Sequence, residues 1–405
     1  MDRRRFSALT AVSALSLLGP RCLNAQAAKP LKIGIMNDLS SVYADFQGVG
    51  SKVAADLAVA DYASKAGVPV EVVIADHQNK PDVGAGLARR WFDNEGVDVV
   101  MDLPNSSVTL AVLAVANEKN KTVIGSGAGS SVLTGPQCSK HFVHWTYDTY
   151  AFGHGIGKAL TQEGAKTWFF ITADYAFGKD LEQNCADAVT AGGGKVLGVA
   201  RHPINTADFS SFLLQAQSSG ADVVAFANAG GDTSQSLKQA AEFGLGQNQR
   251  MAALVFDLQH VPPLGLQAAQ GVKTIQAFYW DMNAGTRDFA KRFSAAHPKN
   301  EYPNHMHAGM YGATAHLIKT VAQTKNAADG VKLVEAMKAM PTDDPLFGKG
   351  SIRADGRHIH PMYLFEVKKP AESTGKWDVF KLVSTLSPED VWRPLDKGGC
   401  PFAKA

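Results

Sequence analysis

The sequence has little cysteine, almost no net charge and no low-complexity tract. Its 405 residues include four cysteines, and 40 lysines and arginines nearly balance 38 aspartates and glutamates. The net charge of +2 leaves no basic surface for binding phosphate backbones, so we expect no nucleic-acid partner. With 45% hydrophobic residues, the chain is neither disordered nor collagen-like nor a coiled coil. Its length is sufficient for roughly two or three domains.

The common catalytic and cofactor-binding motifs are also missing. The sequence contains no G-x-S-x-G nucleophile elbow, no P-loop, no H-E-x-x-H pair and no complete G-x-G-x-x-G after a strand. The only H-x-H pairs are His305–His307 and His358–His360, and neither has a third metal ligand near it in the sequence. We therefore expect a protein that is not an enzyme and that holds neither a cofactor nor a metal.

The first 27 residues are typical of a secretory signal peptide. Three arginines precede the apolar run from Ala8 to Leu18, and Ala25-Gln26-Ala27 forms an A-x-A cleavage site. The apolar run is shorter than the ~20 residues that span a bilayer. We expect cleavage after about Ala27 and a periplasmic mature chain. Arg3-Arg4-Arg5-Phe6 is compatible with both the Sec and the twin-arginine route.

Three cysteines remain after this cleavage. Cys138 and Cys400 lie in irregular segments, whereas Cys185 falls inside a predicted helix. In an oxidising compartment, Cys138 and Cys400 are the natural pair for a disulfide. Three free thiols are the alternative, because sequence alone does not fix connectivity.

From Leu31 onward, apolar runs of strand length alternate with amphipathic segments of helix length. The strands are apolar along their whole length, which is typical of parallel sheets covered by helices on both faces. The pattern restarts near His141 to Trp145, so it forms two runs that are each the size of one doubly wound domain. We predict an α/β protein with two Rossmann-like lobes. Residues 350–357 and 363–367 are predicted to form a hairpin with an Asp-Gly turn.

Small and polar residues follow three strands of the first run. In open parallel sheets, ligands bind beyond the carboxyl ends of the strands, where helix N-termini hold anions. A carboxylate is the expected guest, and the alternative is that these residues only cap their helices. The candidate ligand-binding residues here are Ser41, Tyr43, Asn105, Ser106, Ser107, Gly127, Gly129 and Ser130.

Aromatic and acidic residues follow the strands of the second run and the junction before it. Aromatic side chains in such loops would form the walls of a pocket for an organic ligand. The alternative is that these rings pack in the core or at a hinge. The candidates are Trp145, Tyr147, Tyr175, Phe177, Asp232 and Asp257.

The chain resembles the periplasmic solute-binding proteins of ABC importers with the type I fold, in the Leu/Ile/Val-binding family. The resemblance covers essentially all of residues 28–405. The matching stretches are Lys32-Ile33-Gly34-Ile35 with the Ser-Ser-Val-Tyr-Ala-Asp loop that follows, Gly127 to Thr134, His144 to Asp148, Thr172 to Gly178, and Gly348 to Gly356.

The resemblance implies two lobes with parallel sheets, joined by three hinge crossings. It implies that Ser106 or Ser107, with the backbone near Gly127 and Gly129, holds a carboxylate in lobe 1. Asp257 would stand near the position of the family's ammonium-binding acid, and Phe177 at that of the tyrosine that closes the site. The implied boundaries are residues 28–145 plus 281–342 for lobe 1 and residues 146–280 plus 343–405 for lobe 2.

The function implied by the resemblance is capture of a small organic solute by clamshell closure and its delivery to an inner-membrane ABC permease. We expect the protein to act as a monomer. The ligand class stays open between amino acids, aromatic acids and amides. The alternative functions are a ligand receptor that feeds a sensor kinase and a periplasmic doubly wound enzyme.

Overall fold

The computed structural model describes residues 29–403. The predicted signal peptide, residues 1–27, lies outside the described residues. Within the described part of the chain, no helix is both long enough and apolar enough to cross a membrane.

The first run of strands and helices forms a parallel sheet with the strand order β2-β1-β3-β4-β5. The central strands β3 and β4 are wholly buried because helices cover both faces of the sheet. The elements are β1 (Leu31–Asn37), α1 (Gly48–Ala66), β2 (Val70–Asp76), α2 (Pro81–Asp93), β3 (Val99–Asp102), α3 (Ser106–Lys119), β4 (Thr122–Gly125) and β5 (Phe142–His144).

The second run forms another parallel sheet, with the strand order β7-β6-β8-β9. The α/β architecture with parallel sheets in two lobes is therefore confirmed. The elements are α4 (Thr149–Gln162), β6 (Thr167–Ala173), α5 (Ala176–Ala191), β7 (Lys195–His202), α6 (Ser210–Ser218), β8 (Val223–Ala227), α7 (Gly231–Glu242), β9 (Arg250–Ala253), α8 (Val261–Leu264), α9 (Leu266–Ala269) and β10 (Lys273–Gln276).

The C-terminal third adds helices and two small antiparallel sheets, β10-β14-β15 and β11-β12-β13. The long helix α11 packs against α1, and sixteen of its twenty residues are buried. The elements are α10 (Ala284–Ala296), α11 (His305–Thr324), α12 (Gly330–Ala339), β11 (Thr342–Asp344), β12 (Gly348–Ile352), β13 (His358–Ile359), β14 (Met362–Val367), β15 (Phe380–Leu386) and α13 (Pro388–Val391).

The predicted C-terminal hairpin is partly wrong. Strand β12 pairs with β13 around the turn at Asp355-Gly356. Residues 363–367 belong instead to β14, which pairs with β10 and β15. Pro361 separates β13 from β14, and a proline cannot donate a hydrogen bond to a strand ladder. The chain therefore leaves one sheet there and enters the other.

A disulfide joins Cys138 to Cys400, with the two Cα atoms 5.6 Å apart. It ties the loop after β4 to the C-terminal tail across 262 residues of sequence. Cys185 is a buried free thiol on α5.

We expect a Cys138→Ser/Cys400→Ser double variant to lose about 2–4 kcal/mol of unfolding free energy, because the disulfide restricts the unfolded chain. Urea unfolding under oxidising conditions measures this loss. Reductant should bring the wild-type protein to the level of the variant and leave the variant unchanged. Equal stability of the two oxidised proteins would contradict the prediction.

Candidate ligand-binding cleft

A cavity lies between the two parallel sheets, where the carboxyl ends of their strands meet. Its walls come from the loops after β1, β3, β5, β6, β8 and β9 and from the start of α11. The free volume at its centre is about 20 Å³, which is room for about one water molecule. The two lobes are thus closed on each other. The lining residues are Tyr43, Phe46, Gln47, Pro104, Tyr147, Tyr175, Phe177, Ala229, Gly230, Val255, Asp257 and Met306.

Direct contacts cross the cleft and hold it closed. The hydroxyl groups of Tyr43 and Tyr175 are hydrogen-bonded, and the N–H of Gly231 donates to the Val42 carbonyl at 3.0 Å. Gly230 has a φ of +63°, and a Cβ there would lie 2.5 Å from the Val42 carbonyl oxygen. Both the backbone conformation and the close approach therefore require glycine at this position.

The loop that carries Tyr43 is organised by one buried carboxylate. Asp38 accepts hydrogen bonds from the backbone N–H groups of Ser41 and Tyr43, each at 2.9 Å. The hydroxyl of Ser41 donates to Asp38 at 2.7 Å, and Asn79 donates to the same carboxylate. These bonds hold Tyr43 against the cavity. Ser41 itself does not line the cavity, because its hydroxyl is used inside this loop.

The start of α3 does not present its hydroxyl groups to the cavity. The side-chain oxygen of Asn105 accepts from the N–H groups of Ser107 at 2.9 Å and Val108 at 3.2 Å. The hydroxyl of Ser106 accepts from the N–H of Ser130 at 3.1 Å. Helix capping and loop packing thus account for Asn105 and Ser106, and Ser107 is half-buried and is not one of the lining residues.

The loop after β4 lies beside the rings of the cavity. The carbonyl of Gly127 accepts from the hydroxyl of Tyr147 at 2.8 Å. A Cβ at Gly129 would lie 2.7 Å from Cδ2 of Phe177, so the backbone of this loop touches the opposite lobe. Among residues 29–403, the N–H groups of Ala128 and Gly129 have no hydrogen-bond acceptor. No acceptor within the described residues therefore pairs with these two backbone donors.

The side chain of Ser130 is occupied by a carboxylate of the protein itself. Asp180 on α5 accepts from the hydroxyls of Ser130 at 2.8 Å and Ser131 at 2.9 Å, and from the N–H of Ser131 at 2.6 Å. This carboxylate comes from the opposite lobe. Asp180 therefore takes the anion position that was predicted for a ligand at Ser130, and it links the two lobes.

The segment between β5 and α4 carries one ring into the core and one into the cavity. Trp145 is fully buried and stacks on His358, with 4.2 Å between ring centroids. It therefore packs in the core and does not line the cavity. Tyr147 lines the cavity and stacks on His305 at 5.0 Å. Burial, and then the negative charge of Asp257, raise the pKa of Tyr147 well above its ordinary value, so its hydroxyl stays protonated.

The second lobe contributes two rings and one carboxylate to the cavity wall. Tyr175 and Phe177 follow β6, and Asp257 follows β9. Asp232 is buried nearby but does not line the cavity, because it accepts from the N–H groups of Asn205 at 3.2 Å and Thr206 at 3.0 Å. Burial raises the pKa of Asp232 to about 6.

Asp257 is the only charged side chain among the lining residues. Asp257 as a whole residue is 1% exposed, and burial raises its pKa to about 7. The imidazole Nε2 of His305 lies 3.3 Å from Oδ1 of Asp257. Despite this distance, neither atom has a well-aligned hydrogen-bond partner within the described part of the chain. Oδ1 of this carboxylate is thus available to a donor on a ligand, whereas the carboxyl group also has a hydrogen bond with the side chain of Gln276.

A buried polar network behind the cavity fixes Gln47. The side-chain amide of Gln47 donates to Asp102 at 2.7 Å, and Ser126 donates to the same carboxylate at 3.1 Å. Burial raises the pKa of Asp102 to about 6. Asp102 and Leu103 have φ values of +85° and +62°, which non-glycine residues rarely adopt. This strained turn at the end of β3 places Pro104 at the cavity.

The structure brings together five of the predicted residues around the cavity, namely Tyr43, Tyr147, Tyr175, Phe177 and Asp257. Gly127 and Gly129 lie directly behind these rings. The other predicted residues do not line it: Ser41, Asn105, Ser106, Ser107, Ser130, Trp145 and Asp232.

Sequence reasoning missed seven lining residues. Most of them belong to strand-end loops that the strand pattern had already marked, so extending each loop by a few residues would have found them. Met306 is different because it lies at the start of a helix that no strand precedes, where the strand-end rule does not apply. The missed residues are Phe46, Gln47, Pro104, Ala229, Gly230, Val255 and Met306.

A larger cavity, of about 380 Å³, opens on the second lobe between α4, β9 and β10. Its walls are mainly apolar, with Ile156, Leu160 and Met251 among them. It lies away from the carboxyl ends of the parallel strands, so it lacks the convergent strand-end groups of the interlobe cavity.

Comparisons with known proteins agree with this geometry. A family model described as periplasmic binding protein matches residues 30–376. A solved periplasmic binding protein from Burkholderia mallei is 44% identical, with 93% of this chain and 99% of that chain covered and a TM-score of 0.89.

Two further relatives are named for amino acids. A solved branched chain amino acid ABC transporter periplasmic ligand-binding protein from Burkholderia xenovorans is 36% identical, covering 92% of this chain and 100% of that chain with a TM-score of 0.80. A Leu/Ile/Val-binding protein homolog from Brucella abortus is 28% identical over 375 residues, which are 91% of this chain and 94% of the relative.

Proposed function

Because the chain belongs to the periplasmic binding protein family, we propose that it is the substrate-binding component of an ABC importer. It encloses a small carboxylate-bearing solute between its lobes and delivers this solute to an inner-membrane permease. The lobes close by rotation at the crossings, and the closed form is the one that the permease recognises.

The ring-lined cavity with one buried carboxylate carries this proposal. Five aromatic side chains form its walls: Tyr43, Phe46, Tyr147, Tyr175 and Phe177. Such walls suit a flat apolar ligand body, and few polar groups then orient it. The free N–H groups of Ala128 and Gly129 offer a place for the ligand carboxylate, and the carboxyl group of Asp257 accepts a hydrogen bond when it is ionised and can donate one when it is protonated. An aromatic acid or an aromatic amino acid meets these requirements.

The remaining parts of the proposal follow from this function. The protein acts as a periplasmic monomer without catalytic activity, after cleavage of its signal peptide near Ala27. Lobe 1 comprises residues 28–145 and 281–342, and lobe 2 comprises residues 146–280 and 343–405. The hinge lies where the chain crosses between them.

The test is a ligand panel on the purified mature protein. Native mass spectrometry identifies any solute that copurifies, and thermal unfolding is then measured with L-leucine, L-phenylalanine, benzoate, 3-phenylpropanoate and benzamide. A ligand at a hundred times its Kd stabilises the folded protein by about 2.7 kcal/mol. We expect a carboxylate-bearing compound to give such a shift and benzamide to give none. Stabilisation by benzamide alone, or by no compound, would contradict the proposal.

A further inference from the structure

Asp257 and His305 form a buried pair at the wall of the cavity, and the side chain of Gln276 also hydrogen-bonds the Asp257 carboxyl group. Their side chains are 2% and 0% exposed, and Nε2 of His305 lies 3.3 Å from Oδ1 of Asp257. Within residues 29–403, Oδ1 of Asp257 and both ring nitrogens of His305 lack a hydrogen-bond partner. Three unpartnered polar atoms in one buried place are costly, so the pair needs either a proton or a ligand group between its members.

Within the described part of the chain, no free cation faces this pair. Tyr147 stacks on His305 from one side, and Phe152 lies behind it at 5.8 Å between centroids. The nearby histidines are all occupied: His260 by the backbone of Asp257 and Gly230, His307 by the carbonyl of Gln47, and His360 by the carbonyl of Thr146.

The buried guanidinium of Arg357 is also engaged, since it donates to the carbonyls of Trp145 and Tyr147 at 2.7 Å.

Burial raises the pKa of Asp257 to about 7 and lowers the pKa of His305 to about 3. The pair therefore carries one negative charge when Asp257 is ionised and none when it binds a proton.

The charge of the Asp257–His305 pair determines which class of ligand the cavity can bind. An aromatic monoanion would place a second negative charge beside an ionised Asp257 in a buried site that has no cation. A zwitterionic amino acid would instead pair its ammonium group with an ionised Asp257. The two ligand classes thus require opposite protonation states of the same carboxyl group.

On the basis of the proposed function, we propose that the ligand is an aromatic monoanion. The Asp257–His305 pair takes up one proton from solvent when the lobes close over this ligand. The proton neutralises the carboxylate of the pair. The total charge in the cavity is therefore −1 both before the monoanion binds, when Asp257 is ionised, and after it binds, when only the ligand is charged. His305 is a positioning residue, because it acts on the ligand only through Asp257.

The sign of the pH dependence follows from linkage. A bound anion raises the pKa of Asp257 further, so binding favours the protonated form and strengthens as pH falls through the window around pH 7. We expect Kd for a monoanion to rise about tenfold from pH 6 to pH 8. For a zwitterion the opposite holds, because its ammonium group needs the ionised carboxylate.

The experiment is isothermal titration calorimetry on the mature protein with benzoate, 3-phenylpropanoate and L-phenylalanine. The last two share one carbon skeleton and differ only in the ammonium group. Titrations at pH 7.5 in two buffers with different ionisation enthalpies count the protons exchanged. We expect uptake of at least half a proton with a monoanion.

Variants separate a proton-binding role from a structural one. Asp257→Asn should bind the monoanion without proton uptake, and more tightly than the wild-type protein at pH 8. His305→Phe removes the ring nitrogen next to the carboxyl group, so the pH at which affinity declines should move upward, and His305→Gln should partly restore it. Asp344→Asn is the matched control, because Asp344 is another buried carboxyl with a raised pKa but does not line the cavity. It should keep the proton uptake of the wild-type protein.

The outcomes distinguish this inference from the proposed function. Binding of a monoanion without proton uptake, or a loss of affinity in His305→Phe that is equal at every pH, would overturn the inference and leave the importer function intact. Binding of L-phenylalanine alone, with affinity rising with pH, would do the same. Failure of every carboxylate in the wider panel would overturn both.

Discussion

Replacing Gly129 with alanine is expected to weaken ligand binding by roughly thirtyfold or more. The new Cβ would lie 2.7 Å from Cδ2 of Phe177 and 2.9 Å from Cε2 of Tyr147. Real Cβ atoms do not approach other atoms so closely, so the ring of Phe177 must withdraw. Overpacking of this kind costs about 1–3 kcal/mol, and about 2 kcal/mol corresponds to a thirtyfold change in Kd. Because Phe177 belongs to the opposite lobe, the cost falls mainly on the closed form.

Calorimetry with the ligand identified in the panel measures the effect, and urea unfolding without ligand shows whether the fold has suffered. Gly86→Ala is the matched control, since an added Cβ there meets no atom within 4 Å. Phe177→Ala should reduce ligand affinity less in the Gly129→Ala variant than in the wild-type protein. In that variant the loss of the ring also removes its clash with the new Cβ. Unaltered affinity of the Gly129→Ala variant would show that the lobes do not close as described.

The strand pattern predicted much of this fold because parallel strands buried on both faces are continuous apolar runs. Residues 31–36, 70–75 and 122–125 are such runs, and all three form strands of the first sheet. Several elements were not predicted, and helix α4 and strand β15 are two of them. Helix α4 has three glycines, which weaken its helical pattern, and strand β15 is largely exposed, so it has no apolar run.

The site was predictable only where it follows strand ends. Tyr43, Tyr175 and Asp257 were found because the ends of parallel strands meet at one edge of a sheet. Polar residues at the same edges gave ambiguous signals, because capping a helix and binding an anion use the same residue types. Asn105 and Ser130 show this, since the protein uses both for its own backbone and carboxylates.

Contacts between distant segments left no local signal in the sequence. Asp180 reaches the loop after β4 from the other lobe. His305 meets Asp257 across 48 positions of sequence, and each belongs to a different element. No periodicity or motif relates such partners, because the folded topology alone brings them together. The residues that couple the lobes were therefore invisible until the structure was known.

Arg357 ties the turn between β12 and β13 to the segment between β5 and α4. It is fully buried in the turn between β12 and β13, and it reaches the segment between β5 and α4. Its guanidinium donates to the carbonyls of Trp145 and Tyr147, each at 2.7 Å, and lies over the ring of Trp392 at 4.2 Å. Burial lowers the pKa of Arg357 to about 10, so it stays charged at neutral pH.

We expect Arg357→Met to lose about 3–5 kcal/mol of unfolding free energy, which is the cost of leaving buried partners of a charged group unpaired. The carbonyls of Trp145 and Tyr147 would lose their donors, and Asp148, 3.9 Å away, would lose its nearest cation. Urea unfolding measures the change. The unfolding free energy of Arg357→Lys should lie between those of the wild-type protein and Arg357→Met, because an ammonium group lacks the planar fork that reaches both carbonyls. Arg287→Met is the surface control, because its ion pair with Asp281 is exposed and should be worth less than about 1 kcal/mol. If Arg357→Met were no less stable than this control, the guanidinium would not be what holds these two segments together.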